Sequence, residues 1–355
     1  MTNSITTIGC DIGDKISEIC VLQSDGSKQG FKVRTTKKAL TEFFERTASR
    51  VVIEVGAHSR WISELLKEKG HEVIVANPRR LKVISQNDNK SDRQDCELLA
   101  RIGRVDSDLL SPVKHRNSQA QQDLAVPKAR DVLVATRTKL INHIRGVLKS
   151  DGIALPSSDA AYFVKKTEGL LPDTLAPALT PLYETLKVIK EQIDQMDRGI
   201  ERIAQERYEK DTQALVQIPG VGTLTALVFM LTLEDKCRFS SSRMAGAFLG
   251  LRPRRSQSGD RDPQLGITKA GDPFVRRLLV NAANYIMGPF GQDSDLRRWG
   301  LKLAERGGKN ARKRAKIAVA RKLAVLLHRL WVTGEVYEPL GYQSRRTEEA
   351  AKAAA

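Results

Sequence analysis

Three short apolar segments, "ITTIGCDIG" (5–13), "SEICVLQ" (17–23) and "FKVRT" (31–35), follow one another with only turn residues between them, the second gap lying in "SDGSKQG". Segments this closely spaced and rich in β-branched residues predict a three-stranded antiparallel meander. The rhythm then changes. "RVVIEVG" (50–56) leads into a helical stretch at about 58–69, "HEVIVAN" (71–77) reads as another strand, and helix-like sequence continues from Pro78 through "DCELLARIG". A meander followed by alternating helix and strand predicts an α/β unit: a mixed sheet with helices on its faces, over residues 1–112.

The remainder reads as helical. "DLAVPKARDVLVATRTKLINHIRGVLKSDG" predicts a basic amphipathic helix ended by Gly152. Leu182, Leu186, Ile189, Ile193, Met196, Ile200 and Ile203 follow at alternating steps of four and three, the spacing of a short coiled coil. That stripe joins two chains or packs one helix on its own domain, within a helical region assigned to 113–211. A further unit, 212–290, opens on "IPGVG", a tight turn before an apolar helix that resembles a helix-hairpin-helix element, although such turns are also ordinary core punctuation. It later carries Asp272 as an expected N-cap with Pro273 at the first helical position. The last segment, 291–355, holds a basic amphipathic helix over 297–329 and a frayed "EEAAKAAA" end.

Charge separates the two halves. Residues 1–110 carry 18 Lys/Arg against 16 Asp/Glu, whereas 111–355 carry 41 against 26. The excess points to a polyanion partner for the second half, most simply nucleic acid. No apolar run approaches the roughly 20 residues of a transmembrane helix, and the first residues lack a signal peptide's basic and apolar regions, so no membrane partner and a cytoplasmic location are expected. The four cysteines form no C-x-x-C and the five histidines show no ligand spacing.

Asp11 and Glu54 each sit inside an apolar strand, where an unpaired buried carboxylate costs several kcal/mol. Asp92 and Asp95, three apart at a helix start, share one face and repel unless a cation lies between them. Taken singly, Asp92 reads as an N-cap with Asp95 as its first-turn companion. Taken together, the four acids make an oxygen-only donor set for Mg²⁺, and two ions about 4 Å apart would clamp both the attacking and the leaving oxygen of a phosphodiester.

The blocks "GCDIGDK", "VVIEVGAHS", "ANPRRLKVI", "KSDRQDCELLA", "IPGVGTLTA", "FSSSRMAGAFLGLRP", "QSG" and "GITKAGDPFVRRLLVNAA" resemble, in order and spacing, those of the insertion sequence 110 family of DEDD transposases, over about 1–290. The resemblance implies an RNase H-like (RuvC-like) first domain whose acids Asp11, Glu54, Asp92 and Asp95 coordinate Mg²⁺. It also implies a coiled-coil region that mediates homo-oligomerisation, as a dimer or tetramer, and a mainly helical transposase domain carrying a nucleophilic serine. That serine matches Ser258, with Ser256 nearby and Ser240, Ser241 and Ser242 upstream. A structured bridge RNA pairing with DNA is a further implication.

No histidine lies within 240–290 to serve Ser258 as a local base, and a Ser-Gly pair is ordinarily just a turn. Arg252, Arg254, Arg255 and Arg261 flank it, and Lys269, Arg276 and Arg277 gather at the following helix start. With Lys309, Arg312, Lys313, Arg314 and Lys316 of the basic helix, they form the expected nucleic-acid surface. Aromatic residues make up only 5% of the chain, which argues against extensive base stacking on aromatic platforms. Two other readings use the same residues differently: a metal-dependent nuclease or junction resolvase attacking with water, and a non-catalytic nucleic-acid-binding protein. A sugar-kinase or actin-like ATPase shares the meander and the "DIG" loop but lacks a second Gly-rich phosphate loop.

Overall fold

The predicted meander forms as β1 (Thr7–Asp11), β2 (Ile16–Leu22) and β3 (Lys28–Arg34), each antiparallel to the next. The computed structural model describes residues 6–78, 91–261, 263 and 265–341; the helix-like sequence expected after Pro78 lies largely outside them, as does the "EEAAKAAA" end. After the meander come α1 (Lys37–Phe43), β4 (Arg50–Glu54), α2 (Ser59–Glu68), β5 (Glu72–Ala76) and α3 (Asp92–Val105). β4 enters beside β1 and β5 beside β4, both parallel, giving the order β3-β2-β1-β4-β5.

Strand alternation divides this unit into two cores. Ile8, Cys10, Val51 and Ile53 point to one face, where Leu40 of α1, Phe44 just after it, and Ile62 and Leu66 of α2 cover them. Val52 and Ile74 point to the other and meet Leu99 of α3. On that second face Gly9 is the crossing point: a Cβ there would lie 2.0 Å from the Cys96 carbonyl oxygen and 2.6 Å from the Ala100 nitrogen. The strand and helix backbones touch, and only glycine permits it. Gly9→Ala is therefore expected to destabilise the first unit by about 1–3 kcal/mol, read as a lower denaturant midpoint at unchanged slope. An unchanged midpoint would mean that α3 is not held against β1.

The direction of α3 follows from two arginine bonds. Arg50 donates to the Gly103 carbonyl at 3.0 Å, and Arg104 donates to the Leu22 carbonyl. Arg50 and Leu22 both pair with Thr7, so the end of α3 lies at the start of β1 and the helix runs antiparallel to it. From Gly103 back to Asp95 is roughly 12 Å of helix, and from Thr7 on to Asp11 roughly 13 Å of strand. The first turn of α3 thus reaches the level at which β1 ends.

The chain divides into Met1–Arg116 and Asn117–Ala355. In the second unit, α4 (Ser118–Ser150) and α6 (Ala176–Val216), with the short α5 (Phe163–Thr167) between them, form a long helical pair. Five residues of the expected stripe, Leu186, Ile189, Ile193, Ile200 and Ile203, are buried within this chain and Leu182 and Met196 are half-buried; Ile141, Ile144 and Leu148 of α4 share one cluster with Leu186.

The rest of the unit comprises α7 (Thr223–Leu233), α8 (Arg243–Phe248), α9 (Pro273–Ile286), α10 (Asp295–Ala304) and α11 (Ala311–Thr333). α7 is buried from Ala226 to Leu233 and shares one core with Val275 and Leu279 of α9 and Val319, Leu323 and Leu327 of α11. One expectation is corrected here. The single helix over 297–329 is two, because Gly307 (φ +79°) and Gly308 (φ +91°) break it in a left-handed conformation that L side chains avoid. One face of α11 lies in the core it shares with α7 and α9. No helix among the described residues is long and apolar enough to cross a membrane.

Candidate active site

The parallel register Cys10↔Ile53 makes Asp11 and Glu54 neighbours at the carboxyl ends of β1 and β4. Both are half-buried, and alternation from Gly9 and Val52 puts them on the α3 face. They line one cleft of about 150 Å³ together with Asp14 and His58. α3 brings the other two acids to the same end of that face: Asp95 is buried and Asp92 exposed, both in the first turn. The N-cap is Ser91, whose hydroxyl accepts from the Gln94 N–H at 3.3 Å, so Asp92 is a first-turn residue and not the cap. As placed, no three Asp, Glu, His or Cys side chains among the described residues stand close enough to hold a metal ion. The donor set nevertheless fits a hard divalent ion: oxygen only, on one face, two acids fixed by adjacent strands and two by a helix start whose dipole favours negative charge.

Two residues of this site escaped the linear reading. Glu18 lies directly opposite Asp11 in the β1–β2 ladder and hence on the same face. Its carboxylate holds Lys32 at 2.7 Å, and this partner, with a smaller contribution from Asp92, raises the Lys32 pKa. Lys32 thus pairs with Glu18 and lies within electrostatic reach of Asp92. His58, at the cleft, accepts from the Trp61 indole N–H at Nδ1 (3.1 Å), which leaves Nε2 as the donor to Asp14 at 3.2 Å. One residue from Asp95, the Cys96 thiol donates to the Arg93 carbonyl at 3.1 Å, and interaction with Cys20 raises its pKa while lowering that of Cys20. The period-two pattern could have placed Glu18 on a face; only register could place it opposite Asp11.

The serine loop of the second unit is a hairpin. Pro253 bridges Ile267, and at the tip Ser258 and Arg261 exchange backbone hydrogen bonds at 3.1 Å each around Gly259 (φ +54°). Ser258 is exposed there, as are Ser256, Arg252, Arg254, Arg255, Arg261 and Lys269. The hairpin's base is tight: a Cβ on Gly250 would lie 2.1 Å from the Ala270 oxygen, and Lys269 itself adopts φ +53°. As expected, Asp272 caps α9, accepting from the Phe274 N–H at 2.8 Å, with Pro273 first in the helix. Arg276 donates to the Leu249 and Ala270 carbonyls at 3.1 and 2.9 Å, so its guanidinium braces the hairpin base instead of facing solvent. Arg277 pairs with Asp131. Lys309, Arg312, Lys313 and Arg314 are exposed and Lys316 half-buried.

The imidazole that 240–290 lacks comes from α11. His328 Nδ1 lies 3.0 Å from the Ser242 hydroxyl, and burial lowers the histidine pKa, which favours the neutral ring. This partner sits 86 residues away in sequence, beyond the reach of any local motif.

The comparisons define the class of this chain: an insertion-sequence transposase. Residues 8–151 match the family described as Transposase, DEDD_Tnp_IS110, and residues 212–294 match the Transposase IS116/IS110/IS902 family. The chain is 30% identical over 346 residues to the transposase for insertion sequence element IS1111A of Coxiella burnetii, covering 94% of this chain and 91% of that one. To the transposase for insertion sequence element IS1328 of Yersinia enterocolitica it is 29% identical over 289 residues, covering 80% and 84%. The chain belongs to the IS110 family of transposases. A DEDD transposase match suggests dependence on divalent metal in general terms.

Proposed function

We propose that this transposase cleaves and rejoins the DNA strands of its insertion sequence by serine attack on a phosphodiester, with Asp11, Glu54, Asp92 and Asp95 holding Mg²⁺, two ions per site. Bound there, Mg²⁺ would neutralise the developing charge on the phosphate and leaving oxygens. Ser258, displayed at the hairpin tip, forms an Oγ–P bond as a P–O bond to deoxyribose breaks, and the serine proton ends on the leaving oxygen. The phosphoserine ester conserves the bond, so the reverse attack rejoins strands without ATP. Arg252, Arg254, Arg255 and Arg261 surround the serine with positive charge where the phosphate arrives. On this reading the first unit is an RNase H-like (RuvC-like) domain, the enzyme works in the cytoplasm as a homo-oligomer, and a bridge RNA selects its DNA.

The observation that supports the reading is that Asp11 and Glu54 end adjacent strands on the sheet face that α3 covers, with Asp92 and Asp95 in the first turn of that helix. The test is incubation with DNA spanning the ends of the element, followed by denaturation and peptide mapping. A protein–DNA adduct at Ser258 that needs Mg²⁺ is expected; cleavage without an adduct would favour a nuclease using water. RNA recovered from protein purified without nuclease treatment should contain one discrete species, and its absence would remove the guide. One contact favours a second reading, in which Ser242 is the nucleophile and His328 its base; an adduct at Ser242 would establish it.

A further inference from the structure

The second unit carries a groove of about 1470 Å³ along the outer face of α11. Residues 310–329 line one wall, roughly 28 Å at 1.5 Å per residue. The base of the Ser258 hairpin, at Pro253 and Ile267, lines the other. Its lining residues include seven Lys or Arg and a single acid, Asp295. Lys269, Lys313, Arg314 and Arg321 are exposed along it, while Ile317, Val325 and Leu326 supply apolar surface. Trp299 also lines it, with the Lys322 ammonium 4.3 Å from its ring centroid.

A duplex turns its phosphates outward and hides its bases, so it would engage the basic rim and leave the apolar floor uncovered. An unpaired strand presents both surfaces at once: phosphates to cations and base faces to apolar or aromatic side chains. A helix from an acidic protein would also match the charge, but the chain's class acts on DNA, and the groove meets the hairpin whose tip carries Ser258. We propose that this groove holds an unpaired stretch of DNA strand, with its phosphates on the rim and its bases over the floor. This rests on the proposed serine chemistry for its purpose, not for its measurement, because binding can be read without cleavage.

The experiment measures fluorescence anisotropy of labelled oligothymidine of about a dozen nucleotides, and of a duplex of equal length, on the full chain without Mg²⁺. Ala318→Trp fills the groove from its half-buried floor. It should weaken oligothymidine binding by about tenfold and duplex binding by no more than about twofold. Equal losses on both, or no loss on either, would overturn the proposal. So would tighter binding of oligouridine than oligothymidine, which would assign the groove to RNA. A change of oligomeric state in Ala318→Trp would instead assign it to a second copy. Should that variant fail to fold, Lys313→Ala with Arg314→Ala should lower the oligothymidine salt slope by about 1.4, and an unchanged slope would overturn the proposal. Ser258→Ala should bind oligothymidine normally, so failure of the serine chemistry and failure of the groove give different results.

Discussion

Asn at position 11 should slow strand cleavage at least about a thousandfold while DNA affinity stays within about twofold of the native protein. Asp11→Asn keeps the shape of the side chain and removes an anionic oxygen from the proposed metal site. Metal stabilisation of a phosphoryl transition state amounts to several kcal/mol, and each 1.36 kcal/mol is tenfold in rate. The backbone at position 11 is paired to β2 on one side and lies beside β4 on the other, so the fold should survive, with a thermal midpoint within a few degrees of native. Affinity should persist because the charge excess for a polyanion lies in residues 111–355. Single-turnover cleavage at saturating Mg²⁺, read beside anisotropy, separates the two effects. A variant cutting within tenfold of native would remove Asp11 from the chemistry.

Ser258→Ala should abolish both the covalent adduct and strand cleavage, with stability unchanged to within about 0.5 kcal/mol. The residue stands exposed at a turn held by the backbone bonds of Ser258 and Arg261 and by the positive φ of Gly259, none of which involves its hydroxyl. Its loss should therefore register in chemistry and not in melting. Ser242→Ala provides the contrast, since that hydroxyl touches His328 and its removal should leave the adduct in place. Adduct formation by Ser258→Ala that disappears in Ser242→Ala would transfer the nucleophile to the Ser242–His328 pair.

Much of the architecture was legible because it is local. Alternation with turn residues identifies the meander, the switch to strand and helix identifies a mixed sheet, and the Asp272–Pro273 pair marks the start of α9. The candidate site was legible as residue types at positions, with acids inside apolar strands, but its assembly was not. Gly9 is an unremarkable glycine until α3 rests on it, and Glu18 belongs beside Asp11 only through the β2 register. Arg276 reads as a phosphate ligand until its guanidinium is found on two backbone carbonyls. The break at Gly307 and Gly308 was visible in the chain, yet the Leu and Ala spacing on either side suggested one continuous helix.

The element order, the charge division between the halves and the acids available for metal binding are properties of short stretches, where sterics and hydrophobic period act between near neighbours. Which acid faces which cation, which serine meets an imidazole, and which face of α11 remains open to a groove depend on packing between segments far apart in the chain. Those contacts form through the burial of whole helices and strands, so no local pattern encodes them.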